Sequence, residues 1–444
     1  MTASPFLLPI AMLHRIFRLV GFATFLLLAG CDRGPAEPAA PAPRAAISFL
    51  HYFSDSLSGG VGEMARAFNA QNRDYELKAV SLDHEAFKTS IQDTLKTGNP
   101  PDLYSYWAGA RTASIIEQLE PIDEIWARGG LDAHFSPAVI KAASEYQGRK
   151  YFVPLTQHFI GFFYNKRLFE AHGLQPPKTW DEFLAVCAAL KAAGVTPIAL
   201  GASDKWPAQF WFDYLLLRTA PFAFRERLLS GQARFDDPLV TAVFARWKQL
   251  IDKGYFNSQP HPNNLAWDLG ANEMLFRGEA AMTLMGTWNI GYFTNDAHRW
   301  EAGRDFDFFP FPVIDPALPV VAMGPIDGLV MPRRAANHVG AGEAMIHLAG
   351  VDAQVALARG SGALAPNRQV PLSAYSDIQR RVREEVERSP IFTFALDLAV
   401  PPAVAELGLN AIADFLAFPG TYPQILGQLA DDAESRFSAA RPRN

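Results

Sequence analysis

One feature constrains the fold more than any other. Short β-rich apolar runs alternate, along nearly the whole chain, with segments whose apolar residues recur at helical spacing. Residues 47–53 form the first run, a Ser/Gly loop follows, and Val61, Met64, Ala65 and Phe68 mark one face of a helix. Phe87, Ile91 and Leu95 repeat at i, i+4, i+8 until Gly98-Asn99-Pro100-Pro101 stops that helix, and 103–106 reads as the next strand. Thr179-Trp180-Asp181-Glu182 matches a capping box, with Phe183, Val186 and Leu190 as the apolar stripe and Gly194 at the C-cap; 198–200 then resumes a strand. The pattern returns at 272–277 with 280–285, and again at 328–331 with a helix through Leu348. This order predicts an α/β fold built on open sheets. Such sheets bind ligands at the carboxyl ends of their strands, where Tyr106, Trp107, Trp206, Trp288 and Asp327 fall.

With 444 residues the chain exceeds the size at which one core stops growing, about 250–300 residues, so two lobes are expected. Its net charge of -6 is spread over mixed-sign segments, which argues against nucleic acid as a partner and against a polyanionic ligand. His14, Arg15 and Arg18 precede an apolar stretch, 19–30, that ends in Leu28-Ala29-Gly30-Cys31. A spanning helix needs about 20 apolar residues, so residues 1–30 read as a signal peptide, for which Met12 is an alternative start. Residues 32–44 are rich in Pro and Ala, have little to bury, and read as an extended tether. Cys187 is the only cysteine beyond Cys31, so the folded body is expected to hold no disulfide. The sequence has no Gly-rich phosphate loop, nucleophile elbow, His-Glu-x-x-His helix or Cys/His cluster, so no cofactor, metal or catalytic residue is expected.

Leu28-Ala29-Gly30-Cys31 resembles the bacterial lipobox, which implies that Cys31 is lipidated and that 31–44 is a lipidated tether holding an extracytoplasmic protein to its membrane. The segment from Val153-Pro154 through His158 to Tyr164-Asn165-Lys166, then Thr179-Trp180-Asp181-Glu182, Phe276 through Gly286-Thr287-Trp288, and Gly328 through Pro332, resembles the family 1 extracellular solute-binding proteins of ABC importers, the group that includes the maltose-binding protein. That resemblance implies a two-lobed periplasmic-binding-protein fold of type II, with hinge crossings near Pro154, Phe309 and Ala365 and a ligand cleft between the lobes. The expected division is 45–154 plus 310–364 for the N-terminal lobe and 155–309 plus 365–444 for the C-terminal lobe. The implied partners are a carbohydrate ligand and an ABC permease dimer with its ATPase subunits, and a monomer is expected.

By the same resemblance the ligand residues are Tyr106, Trp107, His158 and Trp288, with looser matches at Asp55, Trp206, Gln209, Asp327, Arg368 and Asp397. The residue types suit a sugar. A pyranose offers apolar CH faces to flat aromatic rings and a rim of hydroxyls to rigid donors and acceptors. Carboxylates accept from hydroxyls in charge-assisted bonds about twice as strong as neutral ones. Structural roles compete with each assignment: core packing for Trp206 and His158, turn formation for Asp327, helix capping for Asp55. Packing alone is expected of Trp126, Trp180, Trp247 and Trp300, and a turn or cap role of Asp102. Two alternatives stay open, a binder of some other small polar solute and an anchored glycoside hydrolase, whose cleft also needs aromatics and a carboxylate pair.

Overall fold

The computed structural model describes residues 43–96 and 98–440. The leader, Cys31 and the tether up to residue 42 lie outside the described residues. Ala45–His51 buries Ile47, Phe49 and His51 in alternation and is the second strand of a five-stranded sheet in the order Tyr75–Ser81, Ala45–His51, Leu103–Trp107, Ile326–Val330, Val153–Gln157. The first three strands run parallel; Ile326–Val330 is antiparallel to both of its neighbours. Leu103–Trp107 is buried along its whole length, as befits a central strand covered on both faces.

A second sheet has four strands in the order Phe306–Phe309, Ile160–Asn165, Ala280–Gly286, Thr196–Ile198, with a parallel pairing only between the last two. Helix Trp180–Ala192 starts with the expected capping box: Thr179 Oγ1 accepts from Glu182 N–H at 3.3 Å and Glu182 accepts from Thr179 N–H at 3.0 Å. It ends at Gly194, whose φ of 80° places it in the left-handed region that glycine adopts without strain. Helix Trp206–Thr219 is buried from Trp206 through Arg218, which makes it a core helix rather than a surface one.

Two separate hydrophobic cores result. Phe49, Phe87, Trp126, Phe152 and Leu329 belong to one; Phe163, Trp211, Trp247, Phe293 and Phe415 belong to the other. Leu155 belongs to the first and Phe159 to the second, while helix Val351–Ala358 packs on both, with Ala353, Ala356 and Leu357 in the first and Ala358 in the second. The crossing expected near Phe309 falls later. Phe309, Phe311 and Val321–Met323 all pack in the second core, and Ile326 is the first to return to the other. The cause is local: Phe309 still pairs with Phe162 in the second sheet, and its ring stacks on Phe162 at 5.0 Å. Trp126, Trp180 and Trp247 are buried in packing roles, and Asp102 binds Ser48 and Asn337 backbone N–H groups at 2.8 Å, a structural role. Among the described residues no helix is long and apolar enough to cross a membrane.

Candidate functional site

A cavity of about 460 Å³ opens where the strands of the first sheet end. One wall comes from residues on the first core, the other from residues on the second. Ala45–His51 runs into Tyr52, Phe53 and Ser54; Tyr75–Ser81 runs into Asp83, His84 and Glu85; Leu103–Trp107 ends in Trp107 and leads to Arg111. Opposite them stand Trp206, Gln209 and Phe210 from the buried helix, Trp267 and Asp268, and Trp288 just past Ala280–Gly286. Gly286 is what lets Trp288 fold back over its strand: a Cβ there would lie 2.1 Å from the indole ring.

Two carboxylates dominate the interior. Asp327 accepts from Tyr52 Oη at 2.6 Å and from Thr156 Oγ1 at 3.0 Å. Burial pushes its carboxyl up to about 6, an effect those two bonds only partly offset. His158 places Nε2 3.8 Å from Asp327 Oδ2, while its Nδ1 lies 2.9 Å from Thr287 Oγ1. Burial lowers the imidazole to about 3, so it is neutral and brings no charge to Asp327. Asp397 is paired instead: Gln209 Nε2 donates to Oδ1 at 2.9 Å, and Arg111 donates to Oδ2 at 3.3 Å.

The aromatic walls meet at close range. Tyr52 stacks on Trp107 with ring centroids 4.2 Å apart, the Arg111 guanidinium lies 5.3 Å from the Trp107 ring, and Trp288 makes edge contacts with His158 at 5.3 Å and Trp206 at 5.8 Å. At the rim, Glu85 takes bonds from Lys88 at 2.9 Å and His84 at 2.8 Å; burial works to raise its carboxyl, but those partners hold it at about 2. Asp204 is raised by burial first and then by the nearby Glu85 charge. The lining therefore sets Asp83, Glu85, Asp204, Asp268, Asp327 and Asp397 against only two cations, Lys88 and Arg111. Arg111 Nε, Trp206 Nε1 and Trp288 Nε1 are buried donors with no partner. No group of His, Cys, Asp and Glu among the described residues is arranged to hold a metal ion.

Of the residues singled out from sequence, Trp107, His158, Trp206, Gln209, Trp288, Asp327 and Asp397 line this one cavity. Tyr106 does not. It neighbours Trp107 on a strand, so it points to the opposite face, where it is buried. Arg368 is also elsewhere, with Nε donating to Ala133 O at 3.0 Å. The Asp55 side chain lies outside the described residues; its helix neighbour Leu57 lines the cavity. Sequence reasoning missed Tyr52, His84, Glu85, Lys88, Arg111, Asp204, Trp267 and Asp268. Tyr52 could have been found by applying the strand-end rule to the first run. His84, Glu85 and Lys88 follow Tyr75–Ser81, a strand of mixed polar and apolar residues that gives little β signal.

Comparison with known proteins bears on this geometry. A family model described as bacterial extracellular solute-binding protein matches residues 54–355. An uncharacterised ABC transporter extracellular-binding protein of Pyrococcus horikoshii is 30% identical over 421 residues, 90% of this chain and 91% of that one. Among solved structures, a bacterial solute receptor with exclusive preference for β-D-galactopyranose superposes with a TM-score of 0.81 at 24% identity, covering 89% of this chain and 99% of that one. A chitin oligosaccharide binding protein superposes with a TM-score of 0.77 at 22% identity, covering 89% and 100%. At these identities the structural matches speak for the α/β periplasmic-binding-protein fold.

Proposed function

Because the chain belongs to the bacterial extracellular solute-binding protein family and serves an ABC transporter without being an enzyme, we propose that its ligand is a neutral mono- or short oligosaccharide held in the cavity between the two cores. The observation that carries this reading is the mixture of hydrogen-bonding groups left for a ligand. Asp327 and Asp397 offer carboxylate acceptors, while Lys88 and Arg111 offer donors on the same walls. A hydroxyl can donate to the first set and accept from the second, and a sugar presents a ring of hydroxyls together with CH faces for Trp288 and Trp206. The excess of carboxylates over Lys88 and Arg111 disfavours a phosphate or carboxylate ligand.

The galactose-selective and chitin-oligosaccharide relatives support the same ligand class. Selectivity would follow from unmet bonds: a sugar lacking one hydroxyl strands a buried partner at a cost of about 1–3 kcal/mol. The family assignment displaces the glycoside-hydrolase alternative, although six carboxylates line the cavity. Closure by hinge bending at the core-to-core crossings would enclose the ligand and present both lobes to the permease. The lipobox-like Leu28-Ala29-Gly30-Cys31 supports anchorage of the exported chain through Cys31.

A thermal-shift screen tests the ligand class. D-galactose, D-glucose, chitobiose and maltotriose are compared with glycerol 3-phosphate, putrescine and amino acids. Binding to the native state adds RT ln(1 + [L]/Kd), about 2.7 kcal/mol at a hundredfold excess. A sugar that stabilises the chain and is recovered unchanged supports the assignment; stabilisation by an ionic control alone refutes it.

A further inference from the structure

The two interior carboxylates reach the cavity from a common base. Val321–Met323 and Ile391–Thr393 form a separate parallel ribbon that pairs Val321 with Ile391 and Met323 with Thr393. Asp327 lies four residues past Met323, and Asp397 four residues past Thr393. The ribbon rests on two buried arginines. Arg218, 3% exposed, donates to Val321 O at 3.4 Å. Arg225, 2% exposed, donates to Asp213 Oδ1 at 2.6 Å, Thr393 Oγ1 at 3.0 Å and Phe394 O at 2.7 Å.

The chain between Thr393 and Asp397 is then held by side chains rather than by a sheet. Asp213 Oδ2 accepts from Leu396 N–H at 2.9 Å, and Gln209, one turn earlier on the same helix, accepts from Asp397 N–H at 2.9 Å. Neither Asp213 nor Arg225 lines the cavity. A buried ion pair stabilises less than well-packed apolar residues of the same volume, so stability alone does not account for this one. Geometry does: the guanidinium fork reaches three acceptors in fixed directions, which an ammonium on a flexible stem cannot reproduce.

We propose that Arg225 and Asp213 are positioning residues for ligand binding: their pair fixes 393–397 and so aims the Asp397 carboxylate, together with Arg111, at the ligand. This rests on the reading that the cavity holds a sugar. Arg225→Lys keeps a cation for Asp213 but loses the fork. The variant leaves Thr393 Oγ1 and Phe394 O without their full set of donors, so it should melt lower than the unaltered chain yet stay folded, while binding the best of D-galactose, D-glucose, chitobiose and maltotriose roughly tenfold more weakly, the loss of about one hydrogen bond. In an Asp397→Asn background the same change should cost no further affinity. Equal losses in both backgrounds, or full affinity in Arg225→Lys, would overturn the proposal. If none of these sugars binds the unaltered chain, the sugar reading fails separately, and amide hydrogen exchange still decides the positioning. Exchange at Leu396 and Asp397 should then quicken by at least about tenfold in Arg225→Lys, with helix Trp206–Thr219 unchanged. Unaltered exchange at those two amides refutes it. Thr393→Val, which removes one acceptor of the fork and leaves the Arg225–Asp213 pair intact, repeats both measurements should Arg225→Lys not fold.

Discussion

Asp327 gives the sharpest handle on the cavity, because its carboxyl is buried, bonded only by neutral hydroxyls and pushed up from 3.8 to about 6. The native state therefore holds this proton more tightly than the unfolded chain does. The stability so conferred is complete below about pH 4, declines between about pH 4 and pH 6, and is gone above. A difference of about 2 pH units at 1.36 kcal/mol each amounts to about 3 kcal/mol. Asn at this position has no proton to lose, and its amide can still accept from Tyr52 and donate to Thr156 Oγ1. Urea denaturation of the ligand-free chain and of Asp327→Asn, from about pH 4 to about pH 8, isolates the effect, since other titrating groups cancel in the difference. The stability of the unaltered chain relative to the variant should fall by about 3 kcal/mol across that window. A difference that stays flat with pH would show that Asp327 is not held in a desolvated, uncompensated site, and the electrostatic account of the cavity would fail with it. Sugar binding should show the mirror image: affinity climbs with pH until about pH 6, as the ionised carboxylate becomes the acceptor, and levels off beyond.

Gly286→Ala should abolish sugar-induced thermal stabilisation while the chain stays folded, because its Cβ would sit 2.1 Å from the Trp288 ring and drive the indole from the cavity; tryptophan fluorescence reports the displacement. Thr179→Ala removes one bond of the capping box at helix Trp180–Ala192 and should cost about 1 kcal/mol in urea denaturation without changing ligand affinity. Cys31→Ser in the full-length chain should abolish incorporation of labelled palmitate and release the protein from the membrane fraction, if the Leu28-Ala29-Gly30-Cys31 leader is processed as a lipobox.

The cavity shows why some of its residues could be read from the sequence and others could not. Trp107 and Trp288 each lie at the end of a strand buried along its length, Leu103–Trp107 and Ala280–Gly286, so the strand-end rule locates them as soon as the strand is recognised. The same rule cannot choose between Tyr106 and Trp107, since a slip of one residue exchanges the two faces. Pairing decides: Trp107 lies opposite Asp327, and both face the cavity. Arg368 fails for a different reason. Its match to the family is loose and lies beyond the residues that the family model covers, and Asn367 is drawn inward by Gln354 and Ala349, which leaves Arg368 on the outside against Ala133.

Asp397 illustrates the limit most clearly. Its distance in sequence from every other wall residue except Ala395 and Leu398 means that no local pattern announces it. It reaches the site only because Ile391–Thr393 pairs with Val321–Met323 and because Arg225, Asp213 and Gln209 then hold the chain in place. Helical spacing and strand ends are local quantities, whereas a cleft between two cores is assembled where the chain crosses from one to the other. The positions of those crossings depend on pairings such as Phe309 with Phe162, which carry the second sheet past the point where the motif alone would end it. His158 and Asp397, set at or beyond such crossings, are therefore legible only through the family resemblance, while Tyr52, His84, Glu85, Lys88 and Arg111, which follow strands of the first sheet, escape it.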